Sequence, residues 1–160
     1  GLFPDRYHNR DALALTARDL DVVQANRSRS AGNLLRCRRV HVKQPQGKLV
    51  WAVVGDIYDV AVDLRRSSST FGKWTGFGLS SRSGHMAWIP PGFAHGFLVL
   101  SESTEVLYKT TDYYAPEHER TLRWNDPKLG IAWPLGNDAT PLLADKDRKG
   151  NNLDSVESCA

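Results

Sequence analysis

Sulfur is almost absent from this chain of 160 residues, which has two cysteines, Cys37 and Cys159, and a single methionine. The cysteines stand far apart, in neither a metal-ligand nor a redox spacing, and read as two reduced thiols rather than a disulfide or a redox centre. Long apolar runs are missing as well. The longest, such as Leu49–Val54 and Phe97–Leu100, fall far short of the roughly 20 residues a membrane helix needs, and nothing at Gly1 resembles a signal peptide. These absences predict a soluble, cytoplasmic protein that does not act at a membrane. Amphipathic stretches of helix length are scarce, and there is no internal repeat and no low-complexity tract. No His-X-His pair occurs, which removes the commonest metal-binding pattern of a β-strand.

What is present suits one compact domain. With 41% hydrophobic residues the chain is long enough to bury a sizeable core and too short to favour two. Residues 1–150 read as that domain and residues 151–160 as a loose polar tail. The net charge of +3 is unevenly spread: residues 1–75 carry 13 Lys and Arg against 7 Asp and Glu, residues 76–160 carry 8 against 11. An anionic ligand fits this excess. Arg27, Arg29, Arg36, Arg38 and Arg39 supply much of it and form a solvated face, a phosphate pocket or, least favoured, a nucleic-acid patch. No aromatic single-strand platform or DNA-reading helix accompanies them, so no nucleic-acid partner is expected.

From about Lys48 to Thr111 short segments rich in valine, isoleucine, leucine and aromatics alternate with turn residues, the pattern of an all-β domain. Strands are predicted at Leu49–Val54, Ile57–Leu64, Lys73–Leu79, His85–Ile89, His95–Leu100 and Glu105–Thr111. Gly55-Asp56 suits a hairpin between the first two. In Ile57–Leu64, Tyr58, Val60, Val62 and Leu64 share one face while Asp59 and Asp63 share the other. Many short antiparallel strands indicate an all-β, cupin-like jelly-roll sandwich with short peripheral helices, one of them within Arg10–Asp19. After Thr111, Pro116, Pro127, Pro134 and Pro141 punctuate loops.

Several strings are long enough to be specific. Trp88-Ile-Pro-Pro-Gly-Phe-Ala-His95-Gly-Phe97 is followed by Leu107-Tyr108-Lys109-Thr-Thr-Asp-Tyr-Tyr114-Ala-Pro-Glu117 and Trp124-Asn-Asp126. With Gln46-Gly-Lys48-Leu-Val50, Asp59-Val-Ala-Val-Asp-Leu64 and Lys146-Asp147, their order and spacing resemble the dTDP-4-dehydrorhamnose 3,5-epimerase family over nearly the whole chain. Gly1-Leu-Phe3 resembles a segment that follows an N-terminal strand in that family, so the chain is expected to begin late. The resemblance implies a homodimeric cupin-type sandwich that needs no metal or nicotinamide and acts on a nucleotide-linked keto-sugar, a dTDP-sugar. The protons at C3 and C5 of a 4-keto sugar are acidic because the C4 carbonyl can hold the carbanion as an enolate. The site therefore needs a base, an acid on the opposite face and a cation beside the oxyanion.

By the same resemblance Tyr108 is the opposite-face acid, Lys48 stabilises the enolate oxygen and Asp147 orients the catalytic base. His95 contacts the sugar. Arg36 reaches the phosphates, and Gln24, Asn26, Asp5, Glu119 and Lys146 line the nucleotide end, Asp5 in place of a usual glutamate. The base segment departs from the family. Leu-Arg-Gly-aliphatic-His-aromatic-Gln becomes Leu35-Arg36-Cys37-Arg38-Arg39-Val40-His41, which puts Arg39 at the histidine position. A guanidinium stays protonated and cannot accept a carbon-bound proton. Ala25 and Arg27 likewise stand where aspartate and histidine are typical. His41 is the remaining candidate base, on the same strand face as Arg39 and about 7 Å further along. A bulge or a shifted register is needed to bring it against Asp147. The competing reading is a catalytically impaired nucleotide-sugar binding protein; another sugar-nucleotide isomerase on this fold is a third.

Overall fold

Runs of β-branched and aromatic residues bounded by turn residues fold here into eleven strands among the described residues, 2–3, 22–41, 45–113, 115–136 and 140–156 of a computed structural model. They are β1 (Leu2–Phe3), β2 (Gln24–Ala31), β3 (Leu34–His41), β4 (Lys48–Val54), β5 (Asp56–Asp63), β6 (Trp74–Ser80), β7 (Met86–Ile89), β8 (Phe93–Val99), β9 (Ser103–Thr110), β10 (Glu119–Leu122) and β11 (Leu142–Leu143). A 3-10 turn at Pro116–His118 and a single helical turn, α1 (Asp145–Arg148), complete them. The helix expected within Arg10–Asp19 lies outside the described residues. No described helix is long and apolar enough to cross a membrane.

Two sheets form a jelly roll, as expected. One has the order β1-β7-β4-β9-β2, the other β10-β3-β8-β5-β6, with β11 beside β3 in parallel. The expected hairpin at Gly55-Asp56 does not form: β4 pairs with β7 and β9 in the first sheet, β5 with β6 and β8 in the second. The turn instead carries the chain across the sandwich. Gly55 has φ 74°, and a Cβ there would lie 2.4 Å from the Ser103 carbonyl oxygen, so the crossing requires glycine. Turn chemistry marks where the chain reverses, and the pairing partners decide which layer it enters.

The six-stranded sheet is covered on both faces. Ile57, Ala61, Leu79, Phe97 and Val99 meet Val50, Ala87, Ile89 and Val106 of the opposite sheet. On the other face Val40, Val60, Val62, Leu64 and Leu122 pack against Leu129, Ile131, Trp133, Leu153 and Val156 of the C-terminal segment. Burying each such aliphatic side chain contributes roughly 1.5–3 kcal/mol. The alternation seen in β5 therefore separates two interiors: Tyr58, Val60 and Val62 face the C-terminal layer, and Asp59 faces the space between the sheets.

The loose tail expected beyond Asn151 is corrected for residues 151–156. Asn151 bridges Leu122, the Leu153 amide donates to Asp126 Oδ2 at 2.6 Å, and Val156 is only 4% exposed. Two apolar residues within a polar stretch, held by one buried carboxylate, outweigh its composition. A second buried carboxylate, Asp63, shapes the loop from β5 to β6, accepting hydrogen bonds from Arg65, Ser68 and Thr70 at 2.6–2.9 Å. The Arg65 hydrogen bonds, joined by those from Ser68 and Thr70, hold its carboxyl far below the usual range.

Candidate active site

Strand alternation aims every second residue of the two facing sheets at the space between them. On the first sheet, cross-strand rows place Gln24, Thr110 and Lys48 side by side, and Asn26, Tyr108 and Val50 in the next row. On the second, Arg39 lies opposite His95 and His41 opposite Glu119. Where these rows are polar the core gives way to a cavity of about 370 Å³. Lys48, Tyr108, His41, His95, Arg36, Arg39, Gln24, Asn26 and Glu119 all line it, together with Ser28, Gln46 and Thr110.

A bulge decides what β3 presents to this cavity. Arg36 pairs with Phe97 and Arg39 with His95, so β3 carries one residue more than β8 over the same length. Without it, residues three apart would face opposite ways. With it Arg36, Arg39 and His41 all face inward while Val40 packs into the outer core.

Asp147, expected to orient the base, lies behind the cavity wall. It is 2% exposed and does not line the cavity; its Oδ1 accepts a hydrogen bond from an Arg39 terminal nitrogen at 2.8 Å. The bulge thus turns Arg39 inward, and its long fork makes the contact to the aspartate. The other terminal nitrogen of Arg39 lies 3.8 Å from Glu119, which therefore sits beside the base segment. Of the remaining expected residues, Lys146 precedes Asp147 in α1, and Asp5 lies outside the described residues.

Electrostatics separate the groups by role. Burial lowers the pKa of His41 from its ordinary value, and the nearby Lys48 ammonium adds to this, against a smaller opposing effect of Glu119. His41 is thus a neutral imidazole at pH 7, able to accept a proton. Burial also brings Lys48 down to about 8, so it remains mostly cationic at neutrality. Tyr108 is pushed up, chiefly by burial and against the pull of Arg36 and Arg39, and keeps its proton to donate. Arg36 is steadied by donating to the Ser30 hydroxyl at 3.1 Å, and the Gln24 amide donates to Asn26 at 2.8 Å. Among the described residues no group of three or more His, Cys, Asp or Glu could hold a metal ion.

Sequence reasoning passed over Ser28, Gln46 and Thr110. Ser28 continues the Gln24, Asn26 alternation of β2 and Thr110 that of Tyr108 on β9, so period-2 reading could have found both. Gln46 opens the Gln46-Gly-Lys48-Leu-Val50 motif, and it is buried with its amide donating to the Tyr113 carbonyl.

One cavity between the two sheets of this jelly roll thus gathers a neutral imidazole, an ammonium and a protonated phenol. The family model for dTDP-4-dehydrorhamnose 3,5-epimerase matches residues 1–155. The chain is 54% identical over 150 residues to the dTDP-4-dehydrorhamnose 3,5-epimerase of Pseudomonas aeruginosa, covering 94% of this chain and 82% of the relative. Among solved structures it is similar to the dTDP-6-deoxy-D-glucose-3,5-epimerase of Legionella pneumophila in complex with dTDP-4-keto-L-rhamnose, with TM-score 0.89, 42% identity and coverage of 94% of this chain and 79% of that one. It is also similar to a 3'-monoepimerase of Streptomyces bikiniensis in complex with dTDP-quinovose, with TM-score 0.85, 30% identity and coverage of 93% and 75%. The chain belongs to the dTDP-4-dehydrorhamnose 3,5-epimerase family, as its motifs implied.

Proposed function

We propose that the cavity binds a dTDP-linked 4-keto-6-deoxy sugar and epimerises it through an enolate, with His41 as base, Lys48 beside the C4 oxygen and Tyr108 as the acid on the opposite face. The observation that carries this is the meeting of His41, Lys48 and Tyr108 on one cavity between the sheets, in a chain whose relatives are sugar-nucleotide epimerases. His41 takes the proton next to the carbonyl, and the C–H electron pair moves onto the C4 oxygen. The Lys48 ammonium stabilises that oxyanion in a site largely withdrawn from water. The Tyr108 hydroxyl then returns a proton to the other face of the carbon, inverting it. His95, Arg36, Gln24, Asn26 and Glu119 hold the sugar and its nucleotide. Proton transfer alone balances the reaction, so no cofactor enters it. The binding-protein alternative finds no support among the relatives, which carry epimerase names.

Solvent deuterium incorporation into the 4-keto sugar tests this, because it registers proton removal even where product is scarce. The rate is expected to rise with pH as His41 loses its proton, at a pKa below the ordinary 6.5, and to fall as Lys48 loses its own at about 8. Lys48→Met should erase the alkaline limb and slow exchange by ~100-fold. An alkaline limb that persists in Lys48→Met assigns it to another group. A homodimer, as in the family resemblance, is part of the same reading. Sedimentation velocity should give a mass of twice 17.9 kDa; a monomer at micromolar concentration removes that part.

A further inference from the structure

Asp59 is fully buried, at 0% exposure, on the β5 face that points between the sheets. A carboxylate withdrawn from water is costly unless it is hydrogen-bonded, and an apolar side chain of similar volume would fill the same space without that penalty. Its hydrogen bond joins Oδ2 to Nε2 of His95 at 2.8 Å, reaching from β5 to the neighbouring β8. Oδ1 is buried and meets no hydrogen-bond partner among the described residues. Fold alone does not call for such a group, whereas the histidine it touches lines the cavity.

An ionised carboxylate only accepts hydrogen bonds. Nε2 must then carry a proton, and in a singly protonated ring Nδ1 is an acceptor, since the bond made by one ring nitrogen fixes the tautomer of the other. We infer that Asp59 is a positioning residue: it locks the orientation and tautomer of His95 so that Nδ1 accepts a hydrogen bond from a hydroxyl of the bound sugar. The inference rests on the epimerase reading in so far as a sugar occupies the cavity. Replacing a histidine-bound aspartate by asparagine presents an amide that can donate to the ring nitrogen, and elsewhere this preserves shape while producing the wrong tautomer.

The test combines ring-nitrogen NMR on protein labelled with nitrogen-15 histidine, the His95 signals being assigned with His95→Gln, and steady-state epimerisation. The parent should show a protonated Nε2 and an unprotonated Nδ1 at His95. Asp59→Asn should invert or mix that pattern and lower kcat by roughly 10- to 100-fold, the scale of one hydrogen bond to a charged group, with KM changed less than threefold. A merely structural role would move neither the tautomer nor kcat apart from KM. A parent with the proton on Nδ1 overturns the inference without any variant having to fold. So does an Asp59→Asn protein that keeps the parent tautomer and kcat. A parent that incorporates no deuterium, yet shows the expected tautomer and loses it in Asp59→Asn, defeats the epimerase reading and upholds the positioning.

Discussion

His41→Ala is expected to lower solvent exchange into the 4-keto sugar by about 1000-fold, within the range lost with a general base, while dTDP binding stays within a few-fold of the parent. The group must be unprotonated at neutral pH, border the cavity and be of a type that titrates near neutrality. Arg39 fails the first condition. Glu119 borders the cavity but is held beside the Arg39 guanidinium, 3.8 Å away. His41 meets all three: it lines the cavity, is 4% exposed, and is kept neutral by burial with Lys48 nearby. Lys48 thereby acts twice, lowering the base it works with and charging the oxyanion site. His41→Gln, which keeps a polar side chain but no base of suitable pKa, should fall as far as His41→Ala. If either variant exchanges at the parent rate, the base is elsewhere and Glu119→Gln becomes the next measurement.

The fold was legible because strands announce themselves by β-branched residues and turns. Both ends of every strand from β4 to β9 lie within two residues of their expected positions. Which sheet each strand joins was not, as the failed hairpin at Gly55-Asp56 shows: pairing is decided by neighbours far apart in sequence. β2, β10 and β11 escaped detection for a related reason. Their polar or very short segments form strands because β9 and β3 supply the ladder. In the site, motif strings located Tyr108, Lys48 and His95, whose places follow from plain alternation. Alternation set Asp59 on the face opposite Tyr58, Val60 and Val62, as found, but period alone does not show that both faces are interiors. Nor could the sequence show which of Arg39 and His41 reaches Asp147, since that depends on one extra residue in β3 and on the length of a guanidinium fork.

Arg39→His is expected to raise exchange at the carbons flanking the carbonyl by about 100-fold. Arg39 faces the cavity at the position where the family carries its base, and Asp147 already lies against it, with Oδ1 2.8 Å from the guanidinium. The imidazole is shorter than the guanidinium fork, so Asp147 must move toward it to accept one ring N–H; the other nitrogen is then left to take a proton, the arrangement by which aspartate orients a histidine base. Arg39→Gln separates this gain from simple removal of a cation. It deletes the same charge without supplying a base, and it takes from Asp147, which is 2% exposed, the guanidinium bond at 2.8 Å; breaking such a buried pair destabilises by about 3 kcal/mol. Arg39→Gln should therefore melt several degrees lower and exchange no faster than the parent. Comparable gains in Arg39→His and Arg39→Gln would mean that the guanidinium obstructs the cavity, with His41 sufficient as base once it is gone. A gain in Arg39→His alone, retained when His41→Ala is added, would show that the two positions hold alternative bases on one strand face.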